Sequence, residues 1–541
     1  MTDPIQVAET IVLLLAIALA LAWVSRRIGV PYPVALVLGG VGLAFVPGLP
    51  SIRIDGDLVL LLFVAPLLYA DAFFAPLNEL RRNARSIALL ASVLVVVTAA
   101  AAALAAHYVL DLPWAVAAVL GGALAATDAV APAQVLGSEG ADPRLVAVVQ
   151  GESLLNDGVA LTLVKVASAA AVTGSFSLLD AGGSFVWTVV GGVAAGLVVA
   201  VVVGEARKRT DDTIIEAALS LVTPFASYIA ADRVGASGIL AAVAAGLWMG
   251  KRSHDVIEPL TRVELRAAWQ IIGFVLNSLL FLLVGLQMDN IVAAVSLPLG
   301  QIALGAAALL VALIGIRVVW ALLLPSAWQG ARGLAGRDAQ PVSTKGWRFA
   351  LAWSGVRGSV ALAAVMSLPQ TVDGGGPLPG RDLVLLMTLI VIVATLVTQG
   401  LTLRPLLHSL DLTDPDALQR EDALAREQAA QAALAQLGPA AERHGLDDSN
   451  REWLEREYAF RSRQYGARVD DGGDAELEEQ KRRMSEADSE LLEAARSAVM
   501  ELAARGDVRA EVAQEVLRDL DLDNARITDP EETGPPGADA P

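Results

Sequence analysis

Carboxylates stand in this chain where hydrocarbon is expected. Asp128 lies in Ala125-Ala-Thr-Asp-Ala-Val-Ala-Pro132 and Asp157 in Gly151-Glu-Ser-Leu-Leu-Asn-Asp-Gly158, each within a run long and apolar enough to cross a bilayer. An ionised carboxylate at that depth costs at least a few kcal/mol, so a chain that keeps several has a use for them. Ser153 and Asp157 are four residues apart and share a helix face, with Asn156 beside Asp157 and Glu152 about a quarter-turn away. Asp157, the Ser153 hydroxyl, the Asn156 amide oxygen and carbonyls freed near Thr127 can form an all-oxygen cage, the donor set that hard alkali cations take. A carboxylate sheltered from water holds a proton, and a cation beside it displaces that proton. One such group carries a proton or a metal ion but not both, which is the competition an antiporter needs.

Other charges are assigned around this centre. Arg357 requires a partner at mid-membrane, and Glu152, turned away from the cage, is expected to pair with it in a structural role. Asp128 either joins the cage or caps backbone groups freed by a helix break. Asp71, mid-to-inner in its span, is placed along an aqueous funnel. Glu216 sits near a span end, and Lys165 is expected to snorkel to the outer interface. Arg317 has no obvious partner from sequence.

The elements that must hold these residues are membrane helices. Of 541 residues, 55% are hydrophobic and only 18% charged, with mean hydropathy +0.55, and the polar share is concentrated after residue 410. That balance points to residues 1–410 as a transmembrane domain, with 411–541 as a partly helical cytoplasmic tail. The net charge of −18 comes largely from the tail. With no cysteine, disulfides, thiolate metal sites and thiol catalysis are excluded. The first apolar run, 11–24, follows Asp3 and Glu9 rather than a basic start, and reads as a span rather than a removable signal.

Apolar windows predict an all-α polytopic protein of thirteen transmembrane helices, at 6–25, 28–46, 58–77, 86–109, 114–137, 145–170, 183–204, 212–232, 235–250, 264–286, 298–324, 347–369 and 381–405. Most loop arginines and lysines, from Arg26 and Arg27 through Arg207 and Lys208 to Arg337 and Arg404, then fall on one side, and Arg53, Arg233 and Arg381 on the other. The positive-inside rule puts the N-terminus outside and the C-terminus in the cytoplasm. The fifth span carries Thr127, Asp128 and Pro132 in mid-helix and the twelfth carries Gly355 and Gly358 around Arg357, so both are expected to be unwound at mid-membrane. They run in opposite directions, as in two inverted six-helix repeats (spans 1–6 and 8–13) whose broken helices meet at a central site.

The segments ATDAVAP (126–132), GESLLNDG (151–158), ASGILAAVAAGLWMG (236–250), FLLVGL (281–286) and WSGVRGSVALA (353–363), in this order, resemble the monovalent cation:proton antiporter-1 family of sodium/proton exchangers, over most of residues 10–405. The resemblance implies a thirteen-helix homodimer in the bacterial plasma membrane, a core that moves like an elevator against a dimerisation domain, and no cofactor beyond the transported ions. It also implies an ion site at Asp157 with Thr127, Ser153 and Asp128 around it, and Glu152–Arg357 as the structural ion pair. Asn156-Asp157, in place of the Asp-Asp of the electrogenic branch, implies one cation exchanged for one proton. Two departures stand out: Ala129 where the family has proline after Thr-Asp, and Asp71 where it has glutamate.

In the tail, 416–437 and 474–506 have helical periodicity, and 451–465 is charged and amphipathic. Gly-Pro and Asp-Gly-Gly breaks are expected between them, and a disordered end at 529–541. A regulatory domain and a solvated appendage are both open readings. Nothing there resembles an ATP, nucleotide or metal motif, and no nucleic-acid partner is expected. Rival functions fit less of the pattern. An aspartyl protease built on Asp128 and Asp157 leaves Ser153 and Asn156 unused, a metalloprotease lacks paired histidines, and a channel needs no proton exchange. A potassium/proton antiporter differs from a sodium (or lithium) one only in cage size.

Overall fold

A computed structural model of the chain describes residues 4–46, 56–174, 178–210, 212–257, 259–288, 291–292, 295, 297–333, 344–469 and 475–527. Arg53, Arg337, the Asp-Gly-Gly break at 471–473 and the 529–541 end lie outside the described residues. Two compact units are present, Met1–Thr413 and Asp414–Pro541.

Among its described residues the first unit is mainly helical, and ten helices are long and apolar enough to span a bilayer. Three further expected spans take other forms: the short apolar helix Tyr32–Ala44, the helix Gly238–Val256, and a discontinuous pair, Lys345–Trp353 and Ser359–Met366. Burial sorts the spans. Only 22% of the most apolar stretch of Glu9–Ile28 and of Gly182–Arg207 is buried, against 72% for Arg381–Ser409. The first two therefore form the apolar periphery and the last runs through the centre. The helix that carries the proposed ion ligands, Pro143–Thr173, is fixed at both ends: Asp142 caps the Arg144 N–H at 2.8 Å, Pro143 occupies the first turn, and Gly174 stops the helix in the left-handed region (φ 67°).

Both expected breaks are present. In the first broken span, Trp114–Ala125 gives way to unwound backbone at 126–129, and Val130–Ser138 resumes the helix. The break falls before Pro132, not at it. Pro132 sits in the first turn of the second half-helix, where an N–H has no intrahelical partner and proline costs nothing. In the second broken span the interruption covers 354–358, and its glycines make room: a Cβ on Gly355 would overlap Arg317, and one on Gly358 would overlap Asp128.

Small residues also let Tyr32–Ala44 lie tightly against Pro259–Leu286. A Cβ on Gly40 would strike the Leu282 carbonyl, and one on Gly285 the Val37 carbonyl. Without a hydrophobic drive between helices in lipid, such close backbone approach is what holds them.

The second unit contains Pro415–His444, Asp448–Val469, Ala475–Arg505 and Ala510–Ile527. The expected Gly-Pro break does not interrupt the first of these; Pro439 lies inside the helix. A single proline there removes one backbone donor, and the Pro439 carbonyl is taken by the Arg443 Nε at 3.2 Å. Exposed pairs such as Arg426–Asp422 (2.7 Å) line the helix surfaces.

A Gly40→Val variant should lose about 1–3 kcal/mol of stability by overpacking, read as a lower melting temperature in detergent. Gly42→Val, on the same helix but with open space around its Cβ position, should lose clearly less; equal losses would mean that the contact with Pro259–Leu286 does not carry the effect.

Candidate ion-binding site

The two breaks are bonded to each other. The Asp128 N–H donates to the Val356 carbonyl at 2.8 Å, joining the unwound backbone of one broken span to that of the other. Arg357, 1% exposed, donates through one Nη1 to the carbonyls of Ala125 and Ala126, both at 3.0 Å. These acceptors are freed where the first half-helix ends. The backbone N–H of Arg357 in turn donates to the Thr395 hydroxyl at 3.2 Å. Asp128 accepts from the Val130 N–H at 2.8 Å and so caps the second half-helix. It is half-buried, with its side chain against Gly358.

Pro143–Thr173 clamps the same break from the side. The Ser153 hydroxyl donates to the Thr127 carbonyl at 2.8 Å and accepts from the Ala129 N–H at 3.2 Å. Asn156 binds Thr127 through both ends of its amide: Nδ2 donates to the Thr127 hydroxyl, and Oδ1 accepts from the Thr127 N–H at 3.5 Å. The amide oxygen expected in the cage is therefore turned to the backbone.

One helical turn from Ser153, Asp157 is 3% exposed, and its Oδ1 has no hydrogen-bond partner among the described residues. A cavity of about 500 Å³ reaches it. Asp71, Asp128, Ser153 and Asp157 line this cavity together with Asn277 and Tyr32. Asp71 is solvent-exposed. Leaving a buried oxygen unpaired costs about 1–3 kcal/mol or more, so this oxygen marks where a proton or a cation would be stabilised.

The expected Glu152–Arg357 pair is not formed. Glu152 is instead bound bidentately by Arg317, through Nη1 and, at 3.0 Å, Nη2. Arg317 also donates to the Ala352 carbonyl at 3.3 Å and the Leu351 carbonyl at 3.4 Å. The correction has a physical cause: Arg357 is held by the carbonyl ends of the first half-helix, while Gly355 leaves the space through which Arg317 approaches. The sequence did hold a signal for Arg317, since a guanidinium at mid-membrane must find an acceptor. Both members are buried, at 5% and 2% side-chain exposure, so the pair adds no net charge to the site.

The charges outside this centre settle separately. Lys165 donates to the Gly235 carbonyl at 3.0 Å. Glu216 is buried rather than solvated, with its own carbonyl accepting from Arg207 at 3.2 Å.

Crossed, unwound helices around an unpaired buried carboxylate define a multi-pass membrane protein that handles cations. The family described as "Sodium/hydrogen exchanger, transmembrane" matches residues 12–409, and the chain belongs to that family of cation/proton antiporters. It is 32% identical over 531 residues, 96% of each chain, to an uncharacterized Na(+)/H(+) exchanger of Mycobacterium tuberculosis. It is 30% identical to the low-affinity Na(+)/H(+) antiporter NhaS1 of Synechocystis, over 79% of this chain and 80% of that one. A sodium, potassium, lithium and rubidium/H(+) antiporter of Bacillus subtilis is 32% identical, over 72% of this chain and 59% of its own. Among solved structures, the sodium proton antiporter MjNhaP1 of Methanocaldococcus jannaschii shares the fold, with TM-score 0.57, 18% identity, and coverage of 75% of this chain and 99% of that one.

Removing one member of the buried ion pair, as in Glu152→Leu or Arg317→Met, should lower stability by about 3–5 kcal/mol. The double variant Glu152→Leu/Arg317→Met should lose less than either single change. Strictly additive losses in thermal unfolding would show that the two do not act as a pair.

Proposed function

We propose that the protein exchanges sodium or lithium for protons, one for one, with both competing for Asp157. The observation that carries this reading is the buried, unpaired Asp157 oxygen at a cavity that also reaches Asp71 and Asp128. Ser153, Asn156 and Thr127 hold the adjoining backbone in place, so the wall of the site is rigid while Asp157 is free to change its occupant. In the bound state Asp157, Ser153 and Thr127 supply oxygens to the cation, and Asp128 shapes the site from the second half-helix. With one carboxylate bearing the exchange, one charge enters for each that leaves, and transport is electroneutral.

The remaining architecture follows from the same reading. Thirteen spans form two inverted repeats, with the N-terminus outside and the C-terminus in the cytoplasm. The cavity reaches Leu80 and Gln150, close in sequence to Arg81, Arg82 and Arg144 on the expected cytoplasmic side, which corresponds to an inward-facing state. The core carrying the crossed helices moves in elevator fashion against a dimerisation domain in a homodimer, and the tail is regulatory. Potassium/proton exchange is the second reading, favoured by the B. subtilis relative, whose name includes potassium and rubidium.

Asp157→Asn should abolish cation-induced fluorescence dequenching in everted vesicles with sodium, lithium or potassium, while the purified variant keeps its melting temperature. Normal exchange by that variant would remove Asp157 from the mechanism. Clamping the membrane potential with valinomycin and potassium should leave the wild-type sodium/proton flux unchanged; a flux that follows the potential would exclude one-for-one exchange.

A further inference from the structure

The cavity wall contains a fixed cation. Four charged residues line it: the carboxylates Asp71, Asp128 and Asp157, and the guanidinium of Arg266. Arg266 is solvent-exposed near the start of Pro259–Leu286. Its Cζ lies 5.6 Å from the centroid of the Phe74 ring, a distance at which an aromatic face holds a guanidinium. Phe74 follows Asp71 by three residues at the end of Ala65–Phe73, so Arg266 is anchored about one helical turn from Asp71. Gln150 and Gln270, both exposed, line the cavity with it, and no ion pair to Arg266 occurs among the described residues. Among the described residues, Tyr32 is the other titratable side chain in the lining.

A positive charge at the mouth of a cation cavity works against its occupancy. We propose that Arg266 is a charge barrier that sets the affinity of the cavity for monovalent cations and discriminates against divalent ones. Its repulsion acts across a partly aqueous space, so its effect on a monovalent ion is modest, about threefold in affinity. A divalent ion feels twice the repulsive free energy, which makes the same barrier about ninefold for it. The Phe74 contact keeps the guanidinium at the mouth and away from the carboxylates, so the barrier does not become a permanent plug.

The proposal rests on the cavity being the cation route and on proton competition at Asp157, and this competition gives it a distinctive signature. Sodium and a proton each carry one positive charge, so removing Arg266 strengthens both equally. At alkaline pH, where protons are scarce, Arg266→Gln should lower the half-saturating sodium concentration about threefold. At acidic pH, where bound protons set the apparent affinity, the two gains cancel and the value should not change. Arg266→Glu should lower the alkaline value further, and Arg266→Lys should match wild type. Magnesium's own inhibition constant, extrapolated to zero competing sodium at alkaline pH, should fall about ninefold in Arg266→Gln, and added choline chloride should shrink the differences by screening. The measurements use proteoliposomes of the full chain, with Asp157→Asn run in parallel. An unchanged alkaline affinity in Arg266→Gln, an Arg266→Lys variant that behaves like Arg266→Gln, or a shift equal at all pH values would overturn the proposal. Exchange that survives in Asp157→Asn would instead overturn the assignment of the cation route.

Discussion

Backbone polar groups released inside a bilayer have no water to turn to, and that constraint organises the centre of this protein. Two helices are interrupted at the same depth, and each interruption supplies what the other lacks. The Asp128 N–H meets the Val356 carbonyl, and Arg357 reaches across to the carbonyls of Ala125 and Ala126. Neither break could persist alone, because its freed groups would be buried without partners. Pro143–Thr173 completes the arrangement by pinning Thr127 and Ala129 with Ser153 and Asn156.

The charges divide along the same line. Arg317 cancels Glu152 in a bidentate contact, and Arg357 is spent on backbone carbonyls. What is left facing the cavity, besides the guanidinium of Arg266, is a set of acids with no ion-pair partner among the described residues: Asp157 has an unpaired oxygen, and Asp71 is open to solvent. A buried acid without a protein partner must bind something mobile or stay protonated. Exchange of a cation for a proton follows from that alternative, and membership of the sodium/hydrogen exchanger family agrees with it. The hydrogen bonds that fix Ser153, Asn156 and Thr127 hold the wall beside the unpaired Asp157 oxygen.

Much of this could be read from residue order. The apolar windows take in the ten helices long enough to cross a bilayer among the described residues, and the glycines around Arg357 located the second interruption to within a residue or two. The first was expected around Thr127, Asp128 and Pro132, and the helix is interrupted at 126–129, with the proline in the first turn of the half-helix that follows. Local chemistry identifies a proline as incompatible with a helix interior but does not say on which side the helix will yield. The same limit explains Pro439, which its helix in the second unit absorbs.

The sequence by itself determined that the chain crosses a membrane, that carboxylates sit within its spans, and that Ser153 and Asp157 share a face. These follow from hydropathy and the 3.6-residue repeat, which are local properties. Tertiary structure alone decided the partners. Glu152 and Arg317 are 165 residues apart and Arg357 and Ala125 are 232 apart, and no local rule chooses between two buried arginines for one glutamate. That choice was made by the space left at Gly355 and by the carbonyls exposed where Trp114–Ala125 ends, neither of which exists until the two broken helices have crossed.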